Sequence, residues 1–195
     1  NHMSSKRYNK PIPFGWYAVE YSEKLSIGEV KAIQYFGREL VLFRTESGQA
    51  VVLDAYCPHL GAHLGHGGTV QGESISCPFH AWKFNGEGKC TDIPYAKRTP
   101  PKVEDKQIIG RYPIEECNQM IWVWYHPDDV APTYDIPDIP EFMEDGHVPV
   151  RHGSWEIGTC LQEIGENSVD TPHLKYLHGS PIIPDVTATV EGHIF

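Results

Sequence analysis

From about Phe14 to His126 apolar and polar positions follow one another in short runs: WYAVEY, KAIQYF, ELVLFRT, AVVLDAY, SISCPF and QMIWVWY. Successive strand side chains point to opposite faces, so runs of this length, alternating or rich in β-branched residues, predict strands. The glycine-bearing stretches FGRE, ESGQ, QGES and NGEGK separate them, the pattern of antiparallel strands joined by hairpins. Residues 14–126 are therefore expected to form a small all-β domain. Residues 127–149, PDDVAPTYDIPDIPEFMEDGHVP, show no period of either kind and are rich in Pro and Asp, which predicts an extended connector. Beyond it HGSWEIGT is expected to be a strand. CLQEIGENSVDTPHLKYLH places Leu161, Ile164, Val169 and Leu174 at helical spacing, and TATVEGHIF is expected to be another strand. A second domain is thus expected over 150–195, which makes the fold class α+β. No internal repeat or low-complexity tract interrupts this pattern.

Composition narrows the function. The chain has 195 residues, 40% hydrophobic content and a formal net charge of −10, the profile of an ordinary globular protein. The acidic balance argues against nucleic acid, whose phosphates it would repel. No run approaches the ~20 apolar residues of a membrane span, and no basic-then-apolar leader opens the chain. A cytoplasmic location is expected. The opening Asn-His-Met reads as a cloning remnant, with Met3 as the native start, so Asn1 and His2 take no part in the argument. Five cysteines, an odd number, suit a reducing compartment in which thiols serve metals rather than disulfides.

Two loops carry the chemistry. Cys57 and His59 form a C-x-H pair, seventeen residues intervene, and Cys77 and His80 form a C-x-x-H pair. Pro58, Pro78, Gly61 and Gly65 supply the stiff and permissive backbone that tight metal loops need. One reading is a zinc knuckle, although zinc fingers usually take both cysteines from one element and both histidines from another. Here each loop gives one of each, which suits a [2Fe-2S] cluster whose two cysteines hold one iron and two histidines the other. Residues 57–80 resemble a Rieske motif. The cytochrome bc-type members carry a disulfide between these loops, and the corresponding places here are Ala62 and Phe79. The chain is closer to the oxygenases and their ferredoxins, whose second loop reads C-P-x-H-x-W. Cys77, Pro78, His80 and Trp82 fit, with Ala81 where glycine is usual. Imidazole ligation raises the potential into the broad window of about −150 to +300 mV.

A second motif lies about ninety residues further on. ENSVDTPHLKYLH offers Asp170, His173 and His178. Two histidines and a carboxylate form the facial triad of non-haem Fe(II) oxygenases, although a histidine pair on a helix is by itself more often surface or core. The stretch resembles the E/D/N-x-x-x-D-x-x-H-x-x-x-x-H segment of the Rieske non-haem iron oxygenases, with Glu166, Asp170, His173 and His178 at its fixed positions. The resemblance assigns His173 and His178 to iron, and Asp170 to bridging and gating between centres. On a regular helix His173 and His178 stand about 140° apart, too far to face one iron. Pro172 disfavours helical Thr171, so a break is expected at Asp170–Pro172, with a widened turn before His178.

The resemblance further implies a helix-grip catalytic domain cut short at Phe195, with the third iron ligand, a carboxylate, beyond that point. GKCTDIPYAKRTPPK and PFGWYAV resemble the 3-ketosteroid 9α-hydroxylases and cholesterol 7-desaturases. That resemblance implies an oxygenase component drawing electrons from NAD(P)H through a flavin/iron–sulfur reductase, and using O2 on a small steroid-like apolar substrate. A head-to-tail homotrimer would join His80 of one protomer to Asp170 and His173 of the next. The alternatives are an electron-carrying Rieske ferredoxin and an aromatic-ring-hydroxylating subunit. Cys90, Cys117 and Cys160 are read as small core residues, Trp122 and Trp124 as one packed face, and His63 and His66 as holding no iron. Lys83, Lys97 and Arg98 are a candidate basic rim for a reductase, or a solvated surface.

Overall fold

A computed structural model describes residues 11–140, 153–187 and 189–190. The chain divides into two compact units, one holding the described residues up to 140 and the other those from 153 onward.

The first unit is built on strands β1 (Gly15–Tyr21), β2 (Val30–Tyr35), β3 (Arg38–Arg44), β4 (Ala50–Asp54), β5 (Thr69–Gln71), β6 (Ser74–Ser76), β7 (Lys83–Asn85), β8 (Cys90–Asp92), β9 (Ile114–Cys117) and β10 (Met120–Tyr125). They form three antiparallel sheets of order β1-β10-β9, β2-β3-β4 and β5-β6-β7-β8. The expected all-β character is present. The pattern showed neither β5, β7 and β8, three residues each, nor β9, whose sequence IEEC is half charged.

The β3–β4 hairpin is apolar on both faces, because both faces are covered. Val41, Phe43, Val51 and Leu53 join Leu64, Ile75, Trp82, Phe84 and the thiols of Cys57 and Cys77 in one cluster. Leu40, Leu42, Ala50 and Val52 join Val19, Leu25, Ile121 and Val123 in the other. Full burial of each large aliphatic side chain is worth about 1.5–3 kcal/mol.

Of the tryptophan pair, Trp124 is buried and Trp122 only half-buried, its Nε1 donating to the Cys117 carbonyl at 3.1 Å. The segment following β10 covers Trp124. The Tyr134 ring meets it edge-on at 5.1 Å, and Trp124 Nε1 donates to the Val130 carbonyl at 2.8 Å. Trp16 Nε1 donates to the Tyr134 carbonyl at 2.9 Å, and the Asn118 amide pairs with both the Pro137 carbonyl and the Ile139 N–H. Residues 127–139 thus carry neither helix nor strand, yet are fixed to the β unit at these points.

Among its described residues the second unit holds two helices, α1 (Leu161–Val169) and α2 (Thr171–Tyr176). The described part of HGSWEIGT, residues 153–159, is not a strand. Trp155 and Ile157 stand 82% and 61% exposed, and a strand exists only where a neighbour takes its backbone hydrogen bonds. Of TATVEGHIF, residues 188 and 191–195 lie outside the described residues.

Candidate metal centres

The first loop leaves β4 at Asp54 and the second leaves β6 at Ser76, so two neighbouring sheets deliver them from the same core. Their backbones close in the same way. Cys57 N–H donates to the Ala62 carbonyl at 2.9 Å and Gly61 N–H to the Cys57 carbonyl at 2.9 Å. In the second loop Cys77 N–H donates to the Trp82 carbonyl at 2.8 Å and Ala81 N–H to the Cys77 carbonyl at 3.0 Å. The fifth residue of each is left-handed, Gly61 at φ +74° and Ala81 at φ +55°. Glycine adopts that conformation freely and alanine does not, which is the physical reason glycine suits position 81. The histidines differ in place, His59 standing third in its loop and His80 fourth.

These loops bring all four candidate ligands together. The His59 and His80 rings approach to 4.8 Å at 71°. Cys57 and Cys77 are buried, and burial, with the Cys77 thiol close by, pushes the Cys57 thiol up to about 11. A thiol so placed ionises only with a compensating cation at hand. The Nδ1 atom of His59 is buried with no hydrogen-bond partner, and buried polar atoms are seldom left so. Two adjoining thiols, two adjoining imidazoles and an orphaned ring nitrogen fit a metal cluster. Among the described residues no group of three or more His, Cys, Asp or Glu closes on a single ion. A cluster whose irons each take two protein ligands asks for none.

Around the loops, His63 and His66 stack at 4.2 Å, and His63 Nδ1 accepts the Gly65 N–H at 3.0 Å. Burial holds the His63 imidazole below its ordinary range. Cys90 is buried as expected, whereas Cys117 and Cys160 are only half-buried; all five cysteines are free. The Lys83 ammonium lies 3.0 Å from the Asp92 carboxylate. Sequence reasoning missed Tyr95, whose hydroxyl accepts the Trp82 Nε1–H at 2.7 Å. Its one signal was an aromatic residue shortly after a strand too brief to recognise.

In the second unit the helix breaks at Asp170, within the expected stretch, although Thr171, expected to leave helical geometry, is the first residue of α2. Asp170 leaves helical geometry at φ −80° and ψ 84°, and Pro172 sits in the first turn of α2. The His173 carbonyl then accepts both Leu177 N–H at 2.8 Å and His178 N–H at 3.3 Å. The second bond spans five residues and widens the turn. This brings the His178 ring to 5.3 Å from that of His173, at 73°. Asp170 Oδ2 lies 3.7 Å from His173 Nδ1, which also bonds the Asp170 carbonyl. Asp170, His173 and His178 are therefore together, while Glu166 in α1 accepts a hydrogen bond from Gln162 at 3.1 Å. The adjoining imidazoles fit two ligands of one iron.

Comparison with known proteins identifies the family. Residues 15–113 match the Rieske [2Fe-2S] domain, and residues 123–195 match the 3-ketosteroid 9alpha-hydroxylase C-terminal domain. A cholesterol 7-desaturase of Xenopus laevis is 43% identical over 177 residues, which cover 89% of this chain and 38% of that protein. The oxygenase component of a 3-ketosteroid-9-alpha-monooxygenase of Rhodococcus rhodochrous is 39% identical over 170 residues, 85% of this chain and 42% of that protein. The crystal structure of dicamba monooxygenase with non-heme iron and dicamba superposes with a TM-score of 0.55 at 25% identity, covering 67% of this chain and 38% of that one. The chain spans about two fifths of the length of the curated relatives it matches. Among the described residues no helix is long and apolar enough to cross a membrane. The first match takes in both cysteine–histidine loops and the second takes in the Asp170–His178 segment, so the chain belongs to the Rieske [2Fe-2S] family, in the oxygenase branch with a C-terminal domain of the 3-ketosteroid 9α-hydroxylase type.

Proposed function

We propose that the chain is part of the oxygenase component of a Rieske non-haem iron monooxygenase that hydroxylates or desaturates a steroid-like apolar substrate. A flavin/iron–sulfur reductase fed by NAD(P)H would supply its electrons. The observation that carries this reading is the presence on one chain of two separate donor sets, the paired loops and the broken helix. An electron carrier has use for the first alone. The relatives, a desaturase and a monooxygenase named for cholesterol and 3-ketosteroid, support the substrate class.

In this reading Cys57, His59, Cys77 and His80 hold the cluster. His173 and His178 hold the iron, with a carboxylate beyond residue 195 as third ligand. When bound, these groups supply one-electron transfer and O2 activation. The protein's own part is to enclose and orient. The apolar cluster of Leu64, Ile75, Trp82 and Phe84 keeps water from the two thiols, and the widened turn after His173 aims two rings at one point. Asp170 can hold His173 in a single tautomer, as a carboxylate behind a ligating histidine does. Its side chain is 57% exposed, which leaves an oxygen for a donor from a neighbouring molecule.

Iron analysis, electron paramagnetic resonance and turnover of the full-length oxygenase test the assignment. Cys57→Ser or His80→Ala should abolish the Rieske signal. His173→Ala should keep that signal and lose the mononuclear iron and at least a hundredfold of turnover. Full turnover in His173→Ala overturns the assignment of residues 170–178 and favours a carrier.

A further inference from the structure

With Ala62 and Phe79 in place of cysteines, no disulfide joins the two loops, and all five cysteines are free. A single residue nevertheless spans them. Trp82 belongs to the second loop through its backbone, its carbonyl accepting the Cys77 N–H at 2.8 Å. Its indole lies flat against His59 of the first loop, with ring centroids 4.5 Å apart and planes 9° from parallel. The indole has little freedom of its own. Trp82 is only 9% exposed, and its Nε1–H is held by the Tyr95 hydroxyl at 2.7 Å. Tyr95 stands on the turn after β8, closed by Ala96 N–H to the Ile93 carbonyl at 2.9 Å and anchored by buried Ile93.

The second torsion of a histidine side chain is broad and soft, so the plane of a ligating imidazole is fixed by what surrounds it. His59 makes no hydrogen bond through Nδ1. Its ring is bounded instead by the Trp82 face and by the His80 ring, 4.8 Å away at 71°. We propose that Trp82 and Tyr95 are positioning residues: the Tyr95 hydroxyl fixes the indole, and the indole fixes the plane of His59, a non-covalent brace between the loops where the cytochrome bc-type members have a disulfide. The inference rests on the reading of His59 as a cluster ligand. Tyr95 is 62% exposed, so the outer end of this brace stands at the protein surface.

The test uses the cluster-loaded chain and three readouts: the resonance of the reduced cluster, its midpoint potential and its rate of loss to an iron chelator. Tyr95→Phe removes one hydrogen bond and keeps the ring. It should broaden the g-values, displace the potential and speed cluster loss about fivefold, the factor that one neutral hydrogen bond is worth. Trp82→Phe keeps an aromatic face and lacks the donor, so it should do the same. Adding Tyr95→Phe to Trp82→Phe should then change nothing further, because the hydroxyl acts only through the indole. Tyr56→Phe, which deletes an exposed tyrosine hydroxyl next to Cys57, should match the parent. Parental values in Tyr95→Phe, additive effects in the double variant, or equal changes in Tyr56→Phe overturn the brace. A His59→Ala chain that keeps the Rieske signal overturns the ligand reading, and the brace with it.

Discussion

Arg44 makes five hydrogen bonds from one guanidinium. Two go to the Glu116 carboxylate at 2.8 and 2.9 Å, and the others to the carbonyls of Ser22, Leu25 and Gly48. The planar fork makes this possible, and it ties the end of β3 to β9 and to the loop after β1. The same bonds hold the Glu116 carboxyl below its ordinary range. A carboxyl lowered in the folded state stabilises the fold above its unfolded pKa of about 4.3, and that stability is lost as pH falls through the folded value. Glu116→Gln should therefore cost about 1.5–3 kcal/mol at neutral pH. The gap from the parent should close as pH falls below about 4. Melting temperatures of both proteins across that range check it; a gap independent of pH would show that the ion pair adds nothing beyond packing.

At the scale of the element, the metal loops are short turns whose ends are fixed by strands, so their conformation is set by a few residues. Ala81 is the strained one. A left-handed non-glycine residue costs roughly 1–2 kcal/mol, and Ala81→Gly should return about 1 kcal/mol of that, part being offset by the greater freedom of glycine in the unfolded chain. Thermal unfolding of the cluster-loaded chain should rise by a few degrees, and a fall would show that the alanine methyl packs usefully. The departure from glycine was legible in the sequence, but its physical reason was not, because a backbone angle leaves no mark in composition. The helix break near Pro172 was legible because proline has no N–H to bond the carbonyl four residues back and its ring crowds that carbonyl, so α1 cannot run through it whatever the tertiary context. The expected strand at HGSWEIGT failed for the opposite reason: alternation describes a residue's two faces, and pairing depends on a partner the run cannot name. The Trp82–Tyr95 contact was hidden because it rests on the pairing of β7 with β8, which brings Lys83 opposite Asp92, and each of these strands is only three residues long.

At the scale of the whole molecule, the proposed activity requires an electron to pass from the paired loops to the broken helix. The proposed route is a head-to-tail trimer in which Asp170 accepts hydrogen bonds from His80 of a neighbouring protomer and from His173 of its own, satisfying both carboxylate oxygens. A heterologous ring of three closes without an unpaired end. Asp170→Asn should leave both centres spectroscopically intact while single-turnover electron transfer between them drops at least tenfold. A monomer that transfers electrons at the parental rate would rule the bridge out. Within each protomer, the β3–β4 hairpin with its two apolar faces is a party wall. Damage to a metal loop stays on one side of it, since Leu40, Leu42, Ala50 and Val52 look the other way. A polar substitution in the wall itself is felt in both rooms at once, so heritable lesions there should be read as losses of the protein, and lesions in the loops as losses of its chemistry.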